Sequence, residues 1–195
     1  PAQDISRDDL PKGIETEREF LSIDEVKLLA ETECRYPLVK NAFMFSCFCG
    51  LRISDIRKLR WSQIETYTED GEEKYRLTIR MTKTKKNITY QLSKEAIKWL
   101  PEKGEDDVIF KGLVQHSCLC YTIKDWVEAA GIKKKITFHC ARHTFSSLIL
   151  TLGADIYTTS KLLGHTDIAT TEIYAKIIDK KKDEAVGLID KFFDK

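Results

Sequence analysis

Long apolar runs are missing from this sequence. No segment approaches the roughly 20 consecutive apolar residues of a membrane-spanning helix, so no membrane span is expected. The N-terminus, "PAQDISRDDLPKG", has no signal-peptide core, which argues against export. It also has no initiator Met, and we expect a fragment of a longer chain. C-x-x-C spacing does not occur among the six cysteines, Cys34, Cys47, Cys49, Cys118, Cys120 and Cys140. Two C-x-C pairs stand in apolar surroundings instead. Small buried hydrophobes in a reducing cytoplasm are therefore expected rather than a metal site. A large net charge is absent as well. The balance is +1, so the total does not identify a nucleic-acid partner, and the distribution of charge has to be read instead.

What is present fits a single folded unit. The chain has 195 residues, 42% hydrophobic and 32% charged, enough for one domain with a real core, or one domain plus a tail. Lysine clusters at 83, 85 and 86, at 133–135 and at 180–182, and acid clusters at 69–73 and 104–107. These runs permit a basic face. No internal repeat or low-complexity segment is visible.

Residues 1–17 read as a linker or arm, and an ordered domain is expected over 18–195. Ser22 and Glu25 have capping-box spacing ahead of Val26, Leu28 and Leu29. "PLVKNAFMFSCFCG" is apolar nearly all round, which predicts a buried helix ended by Gly50. "ISDIRKL" predicts a short third helix. The period then changes. "YRLTIRM" and "ITYQL" alternate apolar and polar residues, so they predict two strands joined by the turn "TKTKKN". "QIETYT" is a candidate third strand. Helical patterns resume from Ser93. The expected fold class is mainly α with a small antiparallel β-sheet, an α+β arrangement.

Four stretches carry chemistry. In "GLRISDIRKLRW", Arg52 opens a helix, and its guanidinium can fork onto two phosphate oxygens. Asp55, three residues on, is close enough to orient it. In "TKTKKN", a lysine on a hairpin tip can neutralise phosphate or donate a proton, and the pattern leaves open which of Lys83, Lys85 and Lys86 does so. In "TFHCARHTF", Thr137 is a candidate helix cap. His139 and Arg142 are three apart on one helical face, and His143 and Phe145 read as packing residues. In "LLGHTDIATTEIYAKI", His165 follows Gly164 at a break and Tyr174 lies nine residues later. A tyrosine, with an ordinary pKa of about 10, attacks poorly unless a base takes its proton or a cation stabilises its anion.

Arg, Lys in a hairpin, His-x-x-Arg, Gly-His and Tyr occur in this order. The set resembles the catalytic domain of tyrosine recombinases, the phage-integrase family of site-specific recombinases, from about Phe20 to Ala175. The look is that of integrases of bacterial mobile elements. The resemblance implies an active site of Arg52, Lys83, His139, Arg142, His165 and the nucleophile Tyr174, with Asp55 supporting the first Arg and Lys85 and Lys86 on DNA. It implies metal-independent DNA breakage through a 3′-phosphotyrosine, with no cofactor. The implied partner is double-stranded DNA, bound by a chain that is monomeric alone and tetrameric on DNA in the full-length protein. A bacterial cytoplasmic protein on the nucleoid follows. Type IB topoisomerase-like nicking and closing, or DNA binding without chemistry, remain as alternatives. The tail, 180–195, carries an apolar stripe including Val186, Ile189 and Phe193. It predicts a helix that packs on its own domain or on a neighbouring protomer.

Overall fold

In the computed structural model the described residues are 19–165, 167–172 and 174. The expected linker over 1–17 and helix over 180–195 lie outside them. Helix α1 (Ile23–Glu31) starts at Ser22, whose side chain accepts from the Glu25 N–H while Glu25 reciprocates on the Ser22 N–H. This is the capping box the spacing predicts. Helix α2 (Pro37–Cys49) is buried almost all round and stops at Gly50, φ 73°. A Cβ at Gly50 would stand 2.5 Å from Phe145 Cδ1. Only glycine satisfies both the left-handed backbone and that close approach. A short helix α3 (Ile53–Ile56) follows.

All three strands form: β1 (Ile64–Glu69), β2 (Glu72–Arg80) and β3 (Asn87–Leu92), in the order β1-β2-β3, antiparallel throughout. The register pairs Leu77 with Tyr90 and Ile79 with Ile88, which puts the apolar alternation of both strands on one face. Leu77, Ile79, Met81 and Leu92 are buried there. Ser93 caps α4 (Lys94–Ile97). The helical pattern does not run on unbroken from there. Between α4 and α5 (His116–Ala129) the chain is irregular, and Val108 pairs with Arg60 as an isolated bridge. Pro101 and Gly104 interrupt the helix, and Ile109 and Phe110 fill the core from this segment instead.

The core gathers around α2. Phe43 meets Trp126 of α5 and Phe138 of α6 (Phe138–Thr151) edge-on, with centroids 5.7 and 5.8 Å away. Such pairs stabilise beyond their buried area. Thr144 of α6 accepts from the Leu21 N–H at 3.0 Å, which holds the start of the domain on its central helix. Helices α7 (Ile156–Leu162) and α8 (Ala169–Glu172) complete the described chain. Among the described residues no helix is long and apolar enough to cross a membrane.

The cysteines divide. Cys34, Cys47, Cys49 and Cys140 are buried, as expected, but Cys118 is half-buried and Cys120 exposed. Helix α5 buries Leu119, Thr122, Ile123, Trp126 and Val127. Cys120 lies about 100° round the helix from Leu119 and falls outside that stripe.

Candidate active site

Arg142 is the point where three distant stretches meet. It sits on α6, and its side chain is almost fully buried. Nη1 donates to the Gly50 carbonyl at 2.7 Å and Nη2 to the Leu163 carbonyl at 2.5 Å. The first carbonyl lies two residues before Arg52, the second two residues before His165. One guanidinium therefore fixes the chain on either side of itself in space, a use for which its planar fork is suited and a lysine is not. Burial, and then the neighbouring Arg52 cation, push its pKa down to about 9, while Tyr174, Asp55 and Tyr90 pull the other way.

Arg52 precedes α3 as its N-cap residue. Burial lowers its pKa, and Asp55 opposes that shift. Arg52 Nη1 is buried without a hydrogen-bond partner among the described residues. Leaving a buried donor unsatisfied costs about 1–3 kcal/mol, more for a charged group. A buried orphan of this kind, on a cation close enough to a second guanidinium to lower its pKa, marks a place where an anion binds favourably.

Asp55 is buried, and its hydrogen bond does not go to Arg52. Oδ1 accepts from the Thr82 N–H at 2.7 Å, while Oδ2 has no hydrogen-bond partner among the described residues. Thr82 is the residue before Lys83. The carboxylate expected to orient Arg52 thus acts on it only through space, and ties α3 directly to the β2–β3 turn. That turn is closed by Met81 N–H to Lys86 O and Lys85 N–H to Met81 O, both 2.9 Å, with Lys85 at φ 57°. Lys83, Lys85 and Lys86 are all exposed. Lys86 Nζ donates to the His165 carbonyl at 3.2 Å, so the turn also touches the fourth stretch.

His165 follows Gly164, φ 62°, which packs on Met81 and Ile88 of the hairpin. Its Nδ1 pairs with Thr171 Oγ1 at 2.8 Å. Thr171 is fully buried, and its carbonyl accepts from the Tyr174 N–H at 3.1 Å. The threonine-rich run between the two candidate residues therefore links them. Tyr174 is itself buried.

The α6 histidines depart from expectation. His139, at the exposed start of the helix, stacks its ring edge-on against His143, with centroids 4.6 Å apart and planes at 87°. His143 is buried as a packing residue would be, but its Nδ1 is hydrogen-bonded to the Tyr174 hydroxyl. The sequence did carry a signal. Residues 139 and 143 are four apart, on one face of a helix, and so are neighbours. Phe145 packs on Gly50, as its apolar character suggests. Thr82 and Thr171, which hold the hairpin and His165, carried no signal, because their partners come from other elements.

The sequence matches the phage integrase family over residues 19–181. The chain belongs to that family. The tyrosine recombinase XerD of Listeria innocua is 30% identical over 184 residues, which cover 86% of this chain and 61% of that protein. This integrase-family chain therefore spans about 60% of the length of the curated relatives it matches. The catalytic domain of bacteriophage HP1 integrase superposes with a TM-score of 0.63 at 28% identity, covering 88% of this chain and 95% of that one. The recombinase XerH, solved on palindromic difH substrate in a post-cleavage complex, shares the fold. Its TM-score is 0.67 at 18% identity, over 90% of this chain and 54% of its own. The α+β fold expected from the sequence is thus the tyrosine recombinase catalytic-domain fold.

Proposed function

We propose that this chain is the catalytic domain, over residues 18–195, of a site-specific DNA recombinase of a bacterial mobile element. In this reading residues 1–17 are a linker to DNA-binding parts of a longer integrase. The observation that carries the proposal is a pair of neighbouring guanidinia, Arg142 buried and Arg52 half-buried. Arg52 Nη1 is buried without a hydrogen-bond partner among the described residues, and burial and the Arg52 cation lower the pKa of Arg142 to about 9. A phosphodiester relieves both, because its nonbridging oxygens accept from the forks and separate the like charges. A carboxylate does not fit as well, since only a tetrahedral phosphate offers oxygens to two forks while presenting phosphorus to a third group.

The third group is Tyr174. Its oxygen attacks phosphorus in line, the O5′ bond breaks, and a 3′-phosphotyrosine and a 5′-hydroxyl result. Arg52 and Arg142 stabilise the charge that gathers on the nonbridging oxygens in the transition state. Positive charge of this kind is what a metal ion supplies in other phosphoryl-transfer sites, so the reaction needs none. Lys83, on the turn held by Asp55, protonates the leaving 5′-oxygen. His165, fixed by Thr171, donates to the phosphate. His139 assists proton transfer at Tyr174, and Lys85 and Lys86 meet the DNA backbone. The phosphotyrosyl ester conserves the energy of the broken bond, so religation to another strand needs no cofactor.

The partner is double-stranded DNA, with a monomer in its absence and a tetramer assembling on DNA in the full-length protein. The site of action is the bacterial cytoplasm, at the nucleoid. Membership of a family of tyrosine recombinases and integrases supports this reading. The test is covalent capture on nicked duplexes with a randomised centre, resolved on a denaturing gel. Wild type forms a protein–DNA adduct. Tyr174→Phe forms none and still shifts DNA on a native gel. Adduct formation by the Phe variant at the wild-type rate overturns the assignment.

A further inference from the structure

We infer that His143 is a further catalytic residue, the base that receives the Tyr174 proton. The inference deepens the function proposed above and rests on it.

The geometry comes first. A general base must sit within hydrogen-bond reach of the proton it removes. His143 Nδ1 is hydrogen-bonded to the Tyr174 hydroxyl, which is the attacking oxygen of the proposed reaction. His139, the residue expected to serve there, is exposed and stands behind His143, ring against ring at 4.6 Å. The two imidazoles are thus arranged in series from the buried phenol to the surface.

The surroundings agree. Both His143 and Tyr174 are buried, so bulk water does not take the phenol proton directly. The next residue along the helix is Arg142, and Tyr174 is close enough to raise its pKa, which means that the phenolate and this cation attract one another. Deprotonation of Tyr174 therefore has an acceptor on one side and a stabilising charge nearby. The rigid backbone of α6 sets the spacing between them, since His143 and Arg142 are consecutive.

The step balances. As the Tyr174 oxygen bonds to phosphorus, its O–H bond breaks and the proton moves to Nδ1 of a neutral His143, giving an imidazolium. The P–O5′ bond breaks, and the leaving oxygen takes its proton from Lys83. In religation the 5′-hydroxyl attacks, Lys83 recovers a proton, and the imidazolium returns its own to the departing phenolate. His143 must enter with Nε2 protonated and Nδ1 free to accept.

The experiment uses the full chain and the same nicked duplexes with a randomised centre. His143→Gln keeps polarity and bulk without a titratable nitrogen, and His143→Ala leaves space for a small base. We expect His143→Gln to form adduct about 10²-fold more slowly, within the usual contribution of about 10²–10⁴ for general acid–base catalysis, with melting and native-gel DNA shift near wild type. Added imidazole should speed His143→Ala about tenfold or more and leave wild type unchanged. Adduct formation by His143→Gln at the wild-type rate overturns the inference. So does an absence of imidazole rescue in a folded His143→Ala. Nitrogen NMR gives a reading that needs no variant of His143. In wild type the His143 Nδ1 resonance should report an unprotonated, hydrogen-bonded nitrogen that moves on Tyr174→Phe. An unmoved resonance overturns the contact on which the inference stands. No adduct from wild type, with the NMR contact present, overturns the proposed function and takes the catalytic role of His143 with it.

Discussion

Two cationic regions contribute to this site, and they are built in opposite ways. Arg142 itself is buried and tied. The guanidinium holds two backbone carbonyls from chain segments 113 residues apart, and Gly50, which supplies one of them, packs closely on Phe145. The hairpin turn with Lys83, Lys85 and Lys86 is exposed, and two described bonds fasten it to the site: Thr82 N–H to Asp55 and Lys86 to the His165 carbonyl. The difference follows from the work proposed for each. Charge that meets the transition state is worth most when it is desolvated and fixed in advance. A lysine that delivers a proton to a leaving oxygen gains from a flexible stem and easy exchange with solvent.

The sharpest way to break the comparison is Arg142→Lys. Charge is kept and the fork lost. Adduct formation should fall by about 10²–10³, the usual effect of removing one oxyanion-type donor. Because the Gly50 and Leu163 carbonyls lose their partner, the variant should also be about 1–3 kcal/mol less stable, measured by urea unfolding. Unchanged stability would mean that the guanidinium does not hold the fold.

Gly50→Ala tests the same region through its backbone. A side chain there meets the αL penalty and the ring of Phe145 at 2.5 Å. The expected loss is about 2–4 kcal/mol, with a matching fall in melting temperature. By contrast Gly71→Ala, where an added Cβ meets nothing within 4 Å, should suffer the backbone penalty alone.

On the hairpin side, Asp55 separates two ways of acting. If it works by holding Thr82, Asp55→Asn, which keeps an acceptor oxygen, should stay near wild type. Asp55→Ala should slow adduct formation about tenfold, equivalent to about 1.4 kcal/mol. A 5′-bridging phosphorothiolate, whose sulfur leaves without a proton, should restore the Ala variant, because the damage is to Lys83. Equal defects in Asn and Ala would show instead that the carboxylate charge acts on Arg52.

Titration distinguishes the regions as well. The pKa of Arg142 is lowered to about 9 by burial and by Arg52. Below that pH the cation and its full burial cost are present. As pH rises through about 9, the folded chain sheds a proton that the unfolded chain keeps up to the ordinary arginine range. The contribution of this group to stability then rises, while its hold on an anion falls. Duplex binding, followed by fluorescence anisotropy, should weaken across that window. Arg52→Ala removes the like charge and should move the weakening to higher pH.

The smallest effects belong to Lys85→Ala and Lys86→Ala. Each should lower DNA affinity a few-fold and reduce the slope of log affinity against log salt by about one. A salt-insensitive affinity would remove these lysines from the DNA surface.

Local rules made much of this protein legible. Ser22 with Glu25, Gly50 after an apolar run, and alternation in residues 75–81 and 88–92 each depend on near neighbours, and each has the expected form. The recurrence of Arg, Lys, His-x-x-Arg, Gly-His and Tyr in order was enough to suggest the family, which the match over residues 19–181 bears out. What sequence misread were partnerships between elements. The hydrogen bond of Asp55 goes to Thr82, 27 residues away, although Arg52 is three residues away. Cys120 was expected inside, but a C-x-C spacing on a helix points its two thiols in different directions.

By itself, then, the sequence determined most of the elements, their apolar faces and the order of the candidate site residues, because periodicity and capping act within a few residues of chain. Tertiary structure alone decided which of those side chains touch. Arg142 joins Gly50 to Leu163, and His143 meets Tyr174 across 31 residues. Such contacts are set by how α2, α6 and the hairpin pack in three dimensions, and no local spacing along the chain encodes them.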